Sequence, residues 1–127
     1  MYTFKKEERL CNKSLIDRLF HSGSSFLCYP YKASWLYVDE LQQAPAQVLF
    51  SVSKKRYRSA VDRNAVKRRM REAYRLNKQQ QLYTHLQASN KQIILSVGYI
   101  GKAIERYDLM EKKMIKLLVQ LSAELAK

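Results

Sequence analysis

An unbroken basic helix dominates the middle of the sequence. Ser59 is a good N-cap, and Asp62 stands three residues later, where a carboxylate favours the positive end of the helix dipole. Neither Gly nor Pro interrupts the next eighteen residues. At about 100° per residue, the apolar side chains of this stretch share one face: Val66, Met70, Ala73 and Tyr74. The pattern predicts a long helix that packs one face and leaves the adjacent face free to bind.

The free face and the loop before it are strongly positive. Between Lys54 and Lys78 stand eleven Lys or Arg residues and two acidic residues, a net charge of +9 out of +13 for the chain. A merely solvated face is the alternative, but solvated faces interleave acids at i,i+4 spacing, and here the like charges repel one another. The excess charge therefore predicts a polyanionic ligand. The side chains predicted to bind it are Lys54, Lys55, Arg63, Asn64, Lys67, Arg68, Arg71 and Arg75.

Length and composition limit the kinds of protein that this chain can be. A chain of 127 residues with 46% hydrophobic residues, three Gly and two Pro is expected to fold as one globular domain, residues 1–127. The N-terminus has no apolar signal-peptide core, and no stretch reaches the roughly 18 apolar residues of a membrane span, so we expect a cytoplasmic protein without a membrane partner. Cys11 and Cys28 have no metal-like spacing and are expected to be free thiols.

Periodicity along the rest of the chain predicts an α+β fold with helices packed on a sheet. Strand, basic helix and strand would by the general rule cross over right-handed. The predicted elements are a helix from Ser14 to near Gly23, a strand from Tyr29 to Val38, a turn over residues 39–45, a strand from Gln47 to Ser53, a polar stretch with a short helical turn over residues 77–90, a buried strand from Gln92 to Tyr99, and an amphipathic helix that opens at Gly101.

Enzymatic signatures are missing from the sequence. It has no Gly-rich phosphate loop, no Cys-x-x-Cys, no His-Glu-x-x-His, and only two His residues for acid–base chemistry. We therefore expect no catalytic residue and no metal site in the polypeptide itself.

The central motif resembles that of a known family, the protein subunit of bacterial ribonuclease P. The similar residues are Ser51-Val52-Ser53-Lys54-Lys55, then Ala60-Val61-x-Arg63-Asn64-x-x-Lys67-Arg68-x-x-Arg71-Glu72, with Arg9-Leu10 and Leu19-Phe20-x-x-Gly23 upstream. Two departures stand out. Ala65 occupies a position where the family usually has Arg, and the loop before Ala60 lacks the usual Gly. Ala65 lies away from the main basic sector, so its presence predicts the loss of one phosphate contact.

The resemblance implies a function and a topology. Such a protein is a subunit of a ribonucleoprotein whose RNA, with Mg²⁺, hydrolyses one phosphodiester to remove the 5′ leader of precursor tRNA. It implies that the basic helix and loop dock on catalytic RNA, and that a mixed sheet of about four strands has a left-handed crossover.

The resemblance also implies a cleft between the first helix and the sheet for the single-stranded leader, with Phe20, Ser51 and Lys55 in it. Phe20 has two alternatives at this point: its ring stacks on the leader, or it fills the core beneath the first helix. Two further aromatic positions of the family align with Ile16 and Ser34. The aromatic residues left to replace them, or to serve in the core, are Tyr31, Trp35 and Tyr37.

Two other functions fit a basic helix. A ribosomal or RNA-chaperone protein without a role in tRNA maturation would have the same composition, and co-purified ribosomal RNA would identify it. A DNA-binding regulator is less favoured because no helix-turn precedes the basic helix.

Overall fold

The computed structural model describes residues 4–39 and 44–126. Four α-helices and four β-strands follow a short 3₁₀ turn at Lys6–Glu8. In chain order they are α1 (Lys13–Ser22), β1 (Ser24–Cys28), β2 (Tyr31–Tyr37), β3 (Ala46–Val52), α2 (Ala60–Lys78), α3 (Thr84–Ser89), β4 (Ile93–Tyr99) and α4 (Tyr107–Leu125). A π-helical turn, Gln79–Tyr83, joins α2 to α3.

The strands form one mixed sheet in the order β1-β2-β4-β3. β2 is antiparallel to both β1 and β4, whereas β3 and β4 run parallel, with Ala46 opposite Ile93 and Val52 opposite Tyr99. The predicted mixed sheet of four strands and the α+β class are confirmed. The periodicity did not reveal β1, because Ser24–Cys28 is mostly exposed and its sequence SSFLC shows no apolar alternation.

One face of the sheet is closed by α2 and α4. Alternate strand residues point into this core, and the Phe50 ring lies 5.6 Å from that of Tyr74 on α2. On the α4 side, the Tyr31 hydroxyl donates to the Met110 carbonyl at 2.9 Å. Burial raises the pKa of Tyr99, beneath the same helices, to about 12. The fully buried strand residues of this face are Tyr31, Ala33, Ala46, Ile93, Leu95, Val97 and Tyr99.

The crossover from β3 through α2 to β4 is left-handed. Ile93 has its side chain in the core under α2, and its N–H donates to the Pro45 carbonyl on the β3 side at 3.0 Å. For an L-residue viewed from its side chain with the strand running upward, the backbone N–H lies on the right. Therefore β3 lies to the right of β4, and the chain passes through α2 in front of the sheet from right to left. This agrees with the family resemblance and departs from the usual right-handed rule.

The opposite face is only partly covered. There α1 packs through Leu19 on a small cluster that contains Leu10, Val38 and Ile94. The remainder of this face is open, and it forms the floor of a cleft described below.

Helix and strand ends correct several predictions. The first helix begins at Lys13 because Asn12, not Ser14, caps it: Asn12 Oδ1 accepts from the Leu15 N–H at 3.2 Å. The final helix begins at Tyr107 and not at Gly101, since the Tyr99 hydroxyl holds the intervening loop by donating to the Ala103 carbonyl at 2.6 Å.

Three further predictions have mixed outcomes. Ser59 caps α2 as predicted, accepting from the Asp62 N–H at 3.3 Å. The polar stretch over residues 77–90 is almost entirely helical, whereas only one short turn was predicted there. Its few apolar residues, Leu82, Tyr83 and Leu86, are all buried, which stabilises the additional helix. The predicted turn over residues 39–45 falls largely outside the described residues.

Candidate RNA-binding surface

The exposed side of α2 carries the predicted polyanion-binding residues. Val66, Met70 and Tyr74 are fully buried, which fixes the rotation of the helix and turns the basic sector outward. All eight predicted residues therefore lie on or beside one surface. Lys54, Lys55, Asn64, Arg68 and Arg71 are exposed, and Arg63, Lys67 and Arg75 are half-buried.

Arg63 shapes the loop in addition to facing solvent. Its Nη1 donates to the carbonyls of Tyr57 at 2.7 Å and Arg58 at 2.9 Å. The guanidinium has five N–H donors, so the remaining ones are still available to an anion. Arg63 therefore orders the basic loop against the start of α2.

A second loop, residues 100–106, braces the basic loop. Arg56 Nη1 donates to the Ile100 carbonyl at 3.1 Å, and the Tyr57 hydroxyl donates to the Gly101 carbonyl at 2.6 Å. Farther along, Arg69 Nη1 donates to the Glu105 carbonyl at 2.7 Å. Sequence reasoning missed these contacts because carbonyl acceptors 36 and 44 residues away leave no local signal.

Arg75 is partly neutralised within the helix. Its Nε donates to Glu72 Oε2 at 3.1 Å, and its Nη2 donates to Oε1 of the same carboxylate. The hydrogen bonds from Arg75 hold the pKa of the Glu72 carboxyl below its usual value. Among the predicted residues Arg75 therefore presents less net charge than the exposed Arg68 and Arg71.

A cleft of about 290 Å³ lies between α1 and the open face of the sheet. Phe20 and Ser51, both predicted cleft residues, line it, as does Ser34. Lys55 is exposed in the basic loop beyond the end of β3 and is not among its lining residues. The full lining comprises Leu19, Phe20, Gly23, Ser25, Lys32, Ser34, Ser51, Ser96, Gly98 and Ile100.

Two cross-strand rows make the floor of this cleft. In the first, Ser25, Ser34 and Ser96 are neighbours on β1, β2 and β4, and the Ser25 and Ser34 hydroxyl oxygens are 2.9 Å apart. In the second, Lys32 lies beside Gly98, which lies beside Ser51. A Cβ added at Gly98 would come within 3.3 Å of the Ser51 hydroxyl oxygen. The floor is thus small, hydroxyl-rich and positively charged on one side.

The aromatic alternatives are resolved by burial. Phe20 is 62% exposed, whereas its neighbour Leu19 is 1% exposed and fills the space beneath α1, so Phe20 is not a core residue. Tyr31 and Trp35 are buried on the closed face, away from the cleft. Tyr37 packs edge-to-face on Trp35 at 5.0 Å between ring centroids. None of these three can replace the missing cleft rings.

Comparison with known proteins decides the family. The family model described as Ribonuclease P matches residues 4–121. This chain belongs to the bacterial ribonuclease P protein family. It is 37% identical over 123 residues to the ribonuclease P protein component of Porphyromonas gingivalis, covering 95% of this chain and 88% of that one. It is 38% identical to that of Chlorobium phaeobacteroides over 91% of this chain and 86% of the relative.

Solved ribonuclease P proteins share the fold. The Staphylococcus aureus protein superposes with a TM-score of 0.69 at 17% identity, covering 91% of this chain and 94% of that one. The Thermotoga maritima protein gives a TM-score of 0.70 at 20% identity, covering 89% and 96%. Membership of the family makes the chain a subunit of a tRNA-processing ribonuclease, with the RNA subunit as its partner. The comparisons do not favour the ribosomal or RNA-chaperone alternative.

The described residues form neither a metal-binding cluster nor a membrane-spanning helix. Within residues 4–39 and 44–126, no group of three or more His, Cys, Asp or Glu side chains is arranged to hold a metal ion. Over the same residues, no helix has the length and apolar character needed to cross a membrane.

Proposed function

We propose that the ribonuclease P protein uses two separate surfaces for two RNAs. The basic side of α2 and its preceding loop dock on the RNA subunit, while the cleft beside α1 holds the 5′ leader of precursor tRNA. In this proposal catalysis belongs to the RNA subunit with Mg²⁺, and the chain works in the cytoplasm. The observation that carries the proposal is the outward basic sector of α2, whose rotation is fixed by a fully buried apolar face.

The docking surface suits a phosphate backbone. Arg68 and Arg71 are exposed on successive turns of a capped helix, so they are held at a fixed spacing without a large loss of backbone entropy on binding. Each cation that neutralises a phosphate releases about one counterion, which makes binding salt-dependent. The exposed Asn64 amide can donate and accept together and so contact a base edge or a 2′-hydroxyl.

The cleft suits a single strand without a fixed sequence. Phe20 offers an exposed ring on the wall, and base stacking on such a ring is worth roughly 1 to 3 kcal/mol for any base. Lys32 supplies a positive charge on the floor, and the hydroxyls of Ser34 and Ser51 can bond sugar or phosphate oxygens. Gly98 keeps the floor low enough for a strand to lie close to the sheet.

The buried carboxylate of the described residues is not poised as a general acid. Glu8 is the one buried carboxylate among the described residues. It already accepts hydrogen bonds from Lys5, Lys78 and Tyr83. Burial alone would raise the pKa of Glu8, but these donors hold it below its usual value, opposite to what a general acid near neutral pH requires. This supports a binding role for the protein and a catalytic role for the RNA.

Reconstitution tests the division of labour. We expect the protein alone to leave precursor tRNA intact, and we expect it to restore 5′ cleavage by the RNA subunit at Mg²⁺ concentrations where RNA alone is nearly inactive. The measurement is the single-turnover rate with RNA alone, protein alone and both. Cleavage by RNA-free protein, or no stimulation of the RNA, would contradict the proposal.

Salt dependence tests the docking surface. Replacing Arg68 and Arg71 by Ala should weaken binding to the RNA subunit and lower the slope of log affinity against log salt by about 2. Lys112 and Lys116 are exposed on α4, and the charge of Lys116 acts on Cys28 of β1, at the sheet edge opposite to β3. Their double Ala variant is the matched control. Equal slopes for both variants would mean that α2 acts only through net charge.

A further inference from the structure

The N-terminal segment is anchored where α2 meets the edge strand β3. The Leu10 N–H donates to the Val48 carbonyl at 3.0 Å, and Gln47 Nε2 donates to the Glu7 carbonyl at 3.2 Å. The Phe4 ring lies 6.0 Å from that of Phe50 on β3 and 5.9 Å from that of Tyr74 on α2. The segment is therefore docked against the same helix that carries the basic sector.

Glu8 ties this segment to the far end of α2. The residue is 6% exposed, and its carboxylate accepts from Lys78 Nζ, from the Tyr83 hydroxyl at 2.7 Å and from the Lys5 N–H at 2.7 Å. Lys78 is 2% exposed, with its ammonium 5.7 Å from the centre of the Phe4 ring and 5.3 Å from that of Tyr83. We call Glu8, Lys78 and Tyr83 the buried polar knot.

The π turn makes the knot possible. Lys78 and Tyr83 are five residues apart, and in a regular α-helix side chains at this spacing point about 140° apart. The wider turn at Gln79–Tyr83 reduces this angle, so that both side chains reach the same carboxylate. Single π turns of this kind occur frequently at functional sites.

Stability alone does not account for the knot. Hydrogen bonds outweigh burial for Glu8 and lower its pKa, which favours the charged form, whereas burial dominates for Lys78 and lowers its pKa, which disfavours the charged form. An apolar pair of similar volume is often as stable as a buried ion pair. A role in positioning the N-terminal segment explains the buried polar knot better than stability does.

Several positively charged residues surround the buried polar knot. Burial is the main reason that the pKa of Lys78 is lowered, and the charges of Arg75 and Lys5 lower it further. Lys5, Lys6 and Arg9 are all exposed, and the Arg9 guanidinium carbon lies 5.6 Å above the Phe4 ring. Exposed cations therefore stand on the N-terminal segment as well as on α2, and the buried polar knot lies between the two elements.

We infer that the RNA-binding surface continues from α2 onto the N-terminal segment, where Lys5, Lys6 and Arg9 neutralise RNA phosphates, and that Glu8 is the residue that positions them. The inference rests on the proposed docking of α2 on the RNA subunit. The ligand is a phosphate backbone, the polyanion that exposed ammonium and guanidinium groups bind without requiring a particular base sequence.

Charge removal tests the surface. Lys5→Gln with Lys6→Gln should lower the log–log salt slope for binding to the RNA subunit by about 2 relative to the unchanged protein. Lys112→Gln with Lys116→Gln removes the same charge from α4 and should lower it much less. An equal effect of both pairs would overturn the inference. If the Arg68 and Arg71 variant still loses slope, docking by α2 stands even when this extension fails.

A charge-neutral variant tests Glu8. Glu8→Met with Lys78→Met removes one charge of each sign, so the net charge of the protein is unchanged, and the apolar pair should keep the fold. Without hydrogen bonds to Glu8 the segment should loosen, and the salt slope should fall by between 1 and about 2. Thermal unfolding confirms that the variant is folded at the assay temperature. A folded variant with an unchanged slope would show that Glu8 does not position the cations.

Discussion

The two faces of the sheet are built from alternate residues of the same strands and have opposite characters. The closed face presents Tyr31, Ala33 and Trp35 of β2 to the core, on the side where α4 packs, and all three are buried. The open face presents Lys32 and Ser34 of the same strand to the cleft. Because side chains alternate along a strand, a shift of one residue in register would exchange core and site.

The difference shows how one short strand serves stability and recognition at once. The closed face gains free energy from apolar area removed from water, and the hydroxyls of the open face would gain little by being covered. The open face can therefore remain uncovered at little cost, which makes it available to a ligand. Three matched substitutions test this division.

The largest effect is expected on the closed face, at Phe50. Its ring is 7% exposed and packs against Phe4 and Tyr74. Phe50→Ala should reduce the free energy of unfolding by about 3 to 5 kcal/mol, the usual loss for a buried aromatic ring. Chemical denaturation measures it. A loss below 1 kcal/mol would show that this face is not the main core.

An intermediate effect of another kind is expected at Phe20 on the open face. Phe20→Ala should leave the free energy of unfolding nearly unchanged, since the ring is 62% exposed. It should weaken binding of precursor tRNA relative to mature tRNA by about 1 to 3 kcal/mol if the ring stacks on the leader. Both tRNA affinities of the reconstituted enzyme measure this. An unchanged ratio would remove Phe20 from the leader site.

The smallest effect is expected at Gly98. Gly98→Ala places a methyl group 3.3 Å from the Ser51 hydroxyl oxygen, so Ser51 must shift by a few tenths of an ångström. The raised floor should weaken precursor binding by about threefold, roughly 0.6 kcal/mol, with mature tRNA unaffected. Ala33 lies on the closed face of β2, and Ala33→Gly is the control that should lower stability without changing the tRNA ratio. Equal weakening for both tRNAs would place the leader elsewhere.

The sequence predicted best where the signals were local. The cap at Ser59, the absence of helix breakers and the apolar spacing of Val66, Met70 and Tyr74 were enough to orient α2 and its basic sector. The local signal was less sufficient at α1, where the structure buries Leu19 and exposes the adjacent Phe20.

What the sequence did not reveal depends on partners distant in the chain. Lys78 belongs to the basic run, yet it is buried against Glu8, 70 residues away, and no pattern around Lys78 shows this. Likewise β1 has little apolar alternation of its own, and its place in the sheet comes from pairing with β2. The handedness of the crossover is a property of three elements together, which only the family resemblance supplied in advance.

The strand order has a consequence for folding during synthesis. β1 and β2 can pair as soon as they leave the ribosome. β3 pairs only with β4, so it cannot join the sheet until β4 has been synthesised and has paired with β2. The parallel pair joins Ala46 to Ile93, a large sequence separation, and such non-local pairing is slow to form. The basic helix therefore emerges before its supporting sheet is complete. During synthesis, the most cationic segment of this protein is therefore exposed near ribosomal RNA before the sheet that packs against it has formed.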